Sequence, residues 1–375
     1  GCGLGRDRSR WLVACVLLGM GSAPCSAQGE LRVAGAFDSI SAPSAAPMPG
    51  LAGAFRQQVL IGSSRLTTVR SRNLTGIRMR RDIGYPAALR GGEIDVELWL
   101  SSCPHEPAKA RETFAANRSL DAKLVFRGRI TIPDSPEAKV DAPLWGAADT
   151  VQVVFASPFA YSGGPLCLDW IGRPVPGKEP RSWYVDHEMG GAGGVVTSFG
   201  QTCSSFVNNR GETLMAQPWG LQIGSTMQLI ALGDPASKPL VLLGARRHAV
   251  GVDLAPMGAP GCTLVVDHIA LVPLAYSALT TRSDLGYTNL LLQIPADDAL
   301  LGSRLFAQLA DMEGANKSNP AGLTTSNGLE LAIATVRPTL DMAVVVSHHV
   351  TSTEPMPQQG RVNVETGPVL RLAWR

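Results

Sequence analysis

Polar and apolar residues alternate along most of this chain with a period of two, the mark of strands that bury one face and wet the other. In TGIRMRRD, Ile77 and Met79 alternate with Arg78 and Arg80; in EIDVELWL, Ile94, Val96 and Leu98 alternate with Asp95, Glu97 and Trp99. FRQQVLI opens the series, and KLVFRGRITI, TVQVVFASPF, PLCLDWIG and RSWYVD continue it, separated by clusters of Pro, Gly, Asp and Ser. These runs predict a first β-sandwich over 51–188. EPAKARETFAANRSLDAK breaks the period and predicts a helical turn or two over the sheets. STMQLIAL, PLVLLGA, CTLVV, IALVPL, TNLLLQIP, LFAQLAD and LELAIAT, with turns such as LGDPASKP and APMGAPG between them, predict a second sandwich over 199–335. LDMAVVV, RVNVE and VLRLAWR form a strand-rich tail over 336–375 whose last strand puts Leu370, Leu372 and Trp374 on one face and Arg371 and Arg375 on the other. The predicted fold class is all-β: two sandwiches of Ig-like or jelly-roll-like kind in tandem, then the tail.

The segments outside these strands divide by composition. Residues 1–27 read as a secretory signal peptide: Arg6, Arg8 and Arg10 precede the apolar run Trp11 to Met20, and Cys25-Ser26-Ala27 is a small-residue site cut before Gln28. That apolar run is about half the roughly 20 residues a spanning helix needs, so no membrane span is expected after cleavage. Residues 28–50, rich in Ala, Ser and Pro, read as a flexible leader. Residues 189–198, MGGAGGVVTS, read as a Gly-rich hinge, since no Lys-Ser/Thr pair or amphipathic helix follows to make a phosphate loop.

Composition supports strands and narrows the partners. Only 17% of residues are charged, whereas Gly (40) and Pro (27) are plentiful, which suits short strands and tight turns. A net charge of +2, from 33 basic and 31 acidic residues, argues against a nucleic-acid or anionic-membrane surface. After signal cleavage four cysteines remain, Cys103, Cys167, Cys203 and Cys262, and an even number in an oxidising compartment implies two disulfides with three connectivities open. Pairing within each predicted domain gives Cys103–Cys167 and Cys203–Cys262.

Several motifs of the second half occur in a fixed order: GQTC at Gly200 to Cys203, IGST at Ile223 to Thr226, KPLVLLG, DLAPMGAPGCTLVV, LQIPADDALLGSRLFAQLAD and GLTTSNGLELAI. Over about 135 residues this segment resembles a module that recurs in secreted proteins of planctomycete-type bacteria. The resemblance implies a bond between Cys203 and Cys262. RQQVLIGSS, TGIRMRRD, IDVELWLSSCP, FAAN, LVFRG and FAYSGGPLCLDW are similar to a domain often found ahead of that module, although Cys103 and Cys167 stand where that domain often has other residues. The resemblance implies a secreted, modular β-sandwich protein and no particular activity.

Candidate chemistry is sparse, and a non-enzyme is expected. No G-x-S-x-G elbow surrounds a serine, and Ser63 and Ser64 fall in a turn. Asp95, Glu97, Asp169 and Asp186 fall on strands or their ends, where carboxylates are usually solvated. The Arg-rich stretch from Arg56 to Arg90 reads as a solvated strand face rather than a polyanion site. His348-His349 point to opposite faces of a strand and do not converge on a metal. Asp186-His187-Glu188 sits at the domain edge, where a cation is a second reading. Asp297-Asp298 reads as a turn or cap, with calcium the second reading and no other cofactor or metal site expected. Trp170, Trp183 and Tyr184 form the speculative ligand site, a platform for sugar stacking, against core burial as the usual fate of tryptophan; Trp145 is less firmly placed. The expected role is a secreted or cell-surface structural, adhesive or ligand-binding protein, whose partners are an extracellular polysaccharide or cell-surface proteins. A carbohydrate-binding module comes second and an extracellular hydrolase third.

Overall fold

The computed structural model describes residues 28–375 except 34, 52, 85–86, 139–143, 181–182, 191–192, 209–210, 280–281, 314–316 and 352–353. The predicted signal peptide, 1–27, lies outside the described residues. The first strands are β1 (Gly29–Arg32), β2 (Ser44–Pro47), β3 (Phe55–Ile61), β4 (Arg72–Arg80), β5 (Gly92–Ser102), β6 (Lys123–Ile132), β7 (Thr150–Tyr161), β8 (Leu166–Pro174) and β9 (Tyr184–Met189). Then come β10 (Val195–Phe199), β11 (Leu214–Ala216), β12 (Thr226–Gly233), β13 (Lys238–Asp253), β14 (Thr263–Pro273), β15 (Ser277–Leu279), β16 (Arg282–Gln293), β17 (Arg304–Met312) and β18 (Leu323–Ala332). The chain closes with β19 (Met342–Val346), β20 (Arg361–Val364), β21 (Thr366–Pro368) and β22 (Leu370–Trp374). The protein is all-β, and the segment predicted to hold helical turns carries two short 3-10 turns, Pro107–Lys109 and Phe114–Asn117.

Two sandwiches account for these strands. In the first, a sheet ordered β1-β22-β4-β7 faces a sheet ordered β20-β19-β3-β8-β5-β6, and a small sheet β2-β9-β21 closes one side. The alternation of the sequence puts Leu74, Ile77, Val151, Val153 and Leu372 of one sheet against Val59, Ile61, Val96, Leu98 and Leu168 of the other. In the second, β10-β18-β17-β13-β14 faces β11-β12-β16-β15 over Leu214, Leu229, Val241, Ala307, Leu309 and Leu331.

The tail belongs to the first sandwich. β19 lies between β20 and β3, β22 between β1 and β4, and β21 beside β9. The second sandwich is therefore inserted between strands of the first. Its entering and leaving strands are hydrogen-bonded neighbours, with Val195 opposite Ala332 and Phe199 opposite Gly328. An insertion whose two ends lie side by side leaves its host sheet order undisturbed.

The residues predicted to be a flexible leader are corrected to an ordered edge. β1 pairs with β22 and β2 with β9. What holds the stretch between them is Arg80: its guanidinium donates to the carbonyls of Phe37, Asp38 and Ile40 and to Asp186, whose carboxylate also accepts from the Ala42 N–H. Arg371 pairs with Asp38 at 2.8 Å, and Trp145, donating to the Asp38 carbonyl, lies beneath the Arg371 guanidinium at 4.2 Å. The solvated-face reading holds for Arg70, Arg72 and Arg90, which are exposed, and fails for Arg56, Arg80 and Arg81. Arg80 and Arg81 are fully buried, and Arg56 forms a two-pronged bond to buried Asp169 while covering the Phe114 ring at 4.5 Å. A buried guanidinium needs carboxylates or carbonyls around it; Arg80 and Arg56 have them, and Arg81 pairs with Asp149 and donates to the Pro136 carbonyl.

One predicted disulfide is present and one is not. Cys203 and Cys262 are bonded, with Cα atoms 5.2 Å apart. Cys103 and Cys167 are free and buried. Cys167 stands opposite Ser101 in the β5–β8 ladder, and the Cys103 N–H bonds the carbonyl of Pro165, so the two cysteines are diagonal rather than directly opposed. Diagonal neighbours sit roughly 7 Å apart, whereas a disulfide needs Cβ atoms within about 4.5 Å.

Candidate functional site

The Trp platform does not exist. Trp170 and Trp183 are buried in the core of the first sandwich, and Tyr184 is half-buried at its margin. Trp183 Nε1 donates to Ser135 Oγ at 3.1 Å. Sequence alternation placed these rings on the inward face as readily as the outward one, and apolar area decided the outcome.

The carboxylates are equally spoken for. Asp169 and Asp186 are buried against arginines, while Asp95 and Glu97 pair with Arg129 and Arg127 on the exposed face of β5. Asp297 caps a 3-10 turn by accepting from Ala299 N, and Asp298 pairs with Arg337. Among the described residues no group of three or more His, Cys, Asp or Glu is placed to hold a metal ion. His349 stacks on Phe55 with centroids 4.7 Å apart.

Where the two sandwiches meet there is a cleft of about 1180 Å³. Its floor is the edge of the six-stranded sheet. Val346 of β19 lies between Gln57 of β3 and Arg361 of β20, and Val344 lies between Val59 and Asn363. One wall is the small sheet, with residues of β2 and with His187, Met189, Glu365 and Thr366; the other comes from the second sandwich, with Trp219, Gln222, Gln228, Asn289 and Leu291. The roof is Glu112 and Thr113 with Gln358, Gln359 and Gly360. It is fixed by the bonds Phe114 N to the Gln358 carbonyl, 3.1 Å, and Gly360 N to the Glu112 carbonyl, 2.9 Å.

Specific contacts set the two sandwiches in register around this cleft. β20 is an edge strand, and its outward N–H groups at Val362 and Val364 donate to Thr226 Oγ1 and Ser225 Oγ, each at 3.0 Å. Thr226 in turn donates to Glu112 Oε1 and Arg361 donates to Gln228 Oε1. The IGST motif thus docks one sandwich on the other. Its glycine, Gly224, has φ +81°, and a Cβ there would lie 2.5 Å from the Ala108 carbonyl oxygen. Gly193 and Gly194 of the segment predicted to be a hinge are packed as well: a Cβ on Gly193 would lie 2.6 Å from the Pro218 carbonyl oxygen, and the Gly194 N–H donates to that oxygen. Glycine there lets the chain press against the Pro218–Gly220 turn that presents Trp219.

The lining is mostly neutral and polar. Seven carboxamides face the cleft: Gln57, Gln222, Gln228, Gln358, Gln359, Asn289 and Asn363. Gln57 and Gln222, one from each sandwich, are only 5% and 4% exposed, yet neither side chain has a hydrogen-bond partner among the described residues. Asn363 Oδ1 is buried and unpartnered too. Trp219, by contrast, is 46% exposed, with Leu291 and Met189 also presenting apolar surface. His187 is buried, and loss of hydration lowers its pKa to about 4, so the ring is neutral. Its Nδ1–H donates to the Val185 carbonyl at 3.2 Å, which makes Nε2 an acceptor. Glu365 has φ +59°, a conformation rare for a side-chain-bearing residue, and burial raises its pKa.

Of the residues lining the cleft, sequence singles out His187, His348 and His349, and the last two follow the end of β19 instead of lying on a strand. Two signals were present nonetheless: Gln57-Gln58 inside the otherwise apolar FRQQVLI, and a tryptophan inside the turn-forming Pro218-Trp219-Gly220.

No protein-family model and no curated protein matches the chain. Among solved structures, a chain of the naturally occurring empty particles of cowpea mosaic virus, the top component, is 9% identical over 85% of this chain and 96% of that one, with a TM-score of 0.15. A likeness at that level carries no argument about fold or function.

Proposed function

We propose that this is a non-catalytic ligand-binding protein of the cell exterior, whose ligand lies in the cleft between the two sandwiches. The observation that carries the reading is a set of unpartnered polar groups in the cleft lining: the buried Asn363 Oδ1 and His187 Nε2, and the carboxamides of Gln57 and Gln222, which face the cleft from opposite sandwiches. Burying an amide without a partner costs about 1–3 kcal/mol, and folded proteins retain such groups chiefly where something else completes them. Carboxamides bind, but they neither transfer protons near neutral pH nor act as nucleophiles, which favours binding over catalysis. The signal-peptide pattern of residues 1–27 and the Cys203–Cys262 bond support a place outside the cytoplasm.

The test is thermal unfolding with soluble polysaccharides, peptides or small metabolites added, run in parallel on Asn289→Trp, which crowds the cleft from an exposed position. A ligand at a hundred times its Kd stabilises by about 2.7 kcal/mol, enough to raise Tm by several degrees. One class raising the Tm of the wild type and not of the variant is the expected result. Equal shifts in both proteins, or none in either, would sink the reading.

A further inference from the structure

We infer that the ligand of the cleft is a neutral, polyhydroxylated chain, an oligosaccharide several rings long, with Trp219 under one ring and Gln57, Gln222 and Asn363 reading its hydroxyls. The inference rests on the cleft being the binding site, as proposed above.

Four observations converge on it. A carboxamide offers donors and acceptors together, and so does a sugar hydroxyl, so each can satisfy the other's hydrogen-bonding capacity. The unpartnered amides present that dual capacity at Gln57, Gln222 and Asn363, while His187 adds an acceptor without a charge. Trp219 supplies an exposed flat apolar face for the C–H side of a pyranose ring, and Leu291 adds exposed apolar surface to the same lining. Finally, about 1180 Å³ exceeds the roughly 300–1000 Å³ of sites for small molecules, which points to an extended ligand.

Charge and strand geometry disfavour the alternatives. The cleft carries Arg361, bonded to Gln228, and two acidic residues, Glu112 and Glu365, so it holds no excess of positive charge for an acidic polymer. A peptide bound as an added strand would need the outward N–H groups of β20, and Ser225 and Thr226 already occupy them.

The experiment measures affinity of the full chain for an array of neutral and acidic oligosaccharides and for casein peptides, with Trp219→Ala, Gln57→Met and Asn289→Trp alongside. We expect a neutral oligosaccharide to bind, with affinity reduced at least tenfold by Trp219→Ala and by Gln57→Met, and its hexamer to bind at least tenfold more tightly than its disaccharide. Circular dichroism and Tm show whether each variant is folded. Binding of an acidic glycan or a peptide that Asn289→Trp abolishes would overturn the oligosaccharide assignment and leave the cleft as the site. Binding that Asn289→Trp leaves unchanged, or no binding at all, would overturn both.

Discussion

A glutamine side chain has two N–H donors and two acceptor lone pairs, all satisfied by water in the unfolded chain. In the folded protein the Gln57 carboxamide gains no protein partner among the described residues and opens onto the cleft, while its neighbour Gln58 donates to the Phe114 carbonyl and to Asp169. Two adjacent glutamines on one strand thus have opposite roles, because successive side chains point to opposite faces. Replacing Gln57 with the similarly shaped methionine should weaken ligand binding while leaving the stability of the unliganded protein within about 0.5 kcal/mol of the wild type, read as the urea midpoint at constant m. A loss of more than about 1 kcal/mol would show that the carboxamide has a protein partner after all. His187 gives a pH-dependent counterpart. Its pKa falls from the model-compound 6.5 to about 4 in the fold, so unfolding takes up a proton between those values. Stability present above pH 6.5 should be lost as pH falls, by about 3 kcal/mol near pH 4, and His187→Met should remove that part of the slope. The same slope in both proteins would assign the pH dependence to other groups.

At the scale of elements, sequence alternation located the strands well, because period-two patterning reports burial directly. FRQQVLI and KLVFRGRITI coincide with β3 and β6 from end to end. It failed where order comes from distant partners instead of local pattern. Residues 35–42, GAFDSISA, show no period-two pattern, yet Arg80 and Arg371 gather their carbonyls and Asp38 from far along the chain. The cleft was illegible for a related reason: it is assembled from β3, β9, β16 and β20, and no sequence interval reveals which of their polar residues converge. The cysteines show both outcomes, since Cys203 and Cys262 bond while Cys103 and Cys167 stand in diagonal register. Alkylating the denatured, unreduced chain from Gln28 onward should therefore add two labels, at Cys103 and Cys167. Reducing the remaining bond, which spans 59 residues, should cost the second sandwich about 4 kcal/mol. No labelling would mean that a second bond forms.

At the scale of the molecule, the inserted arrangement separates what can be removed from what cannot. Gly190 donates to the Glu365 carbonyl, and a Cβ on it would lie 2.8 Å from Leu340 Cβ, so the places where the chain leaves and rejoins the first sandwich are adjacent. A chain joining residue 190 to residue 339 through a short Gly-Ser linker should fold with a cooperative thermal transition. Deleting residues 336–375 from the intact chain should abolish that of the first sandwich, since β22 lies between β1 and β4 and β19 covers the β3 edge of the six-stranded sheet. A first sandwich that stays folded without them would refute this account of its architecture.

The pairing of β1 with β22 also orders events in time. The ribosome makes residue 29 long before residue 374, yet those two residues face each other in one ladder. Until its closing strands have been synthesised, the first sandwich lacks an interior strand of one large sheet and two edge strands of the other, and must wait with apolar surface uncovered, open to chaperones and proteases. The inserted sandwich runs without interruption from Val195 to Ala332 and can fold during that wait. The part of the protein that is translated first is thus the part that is completed last.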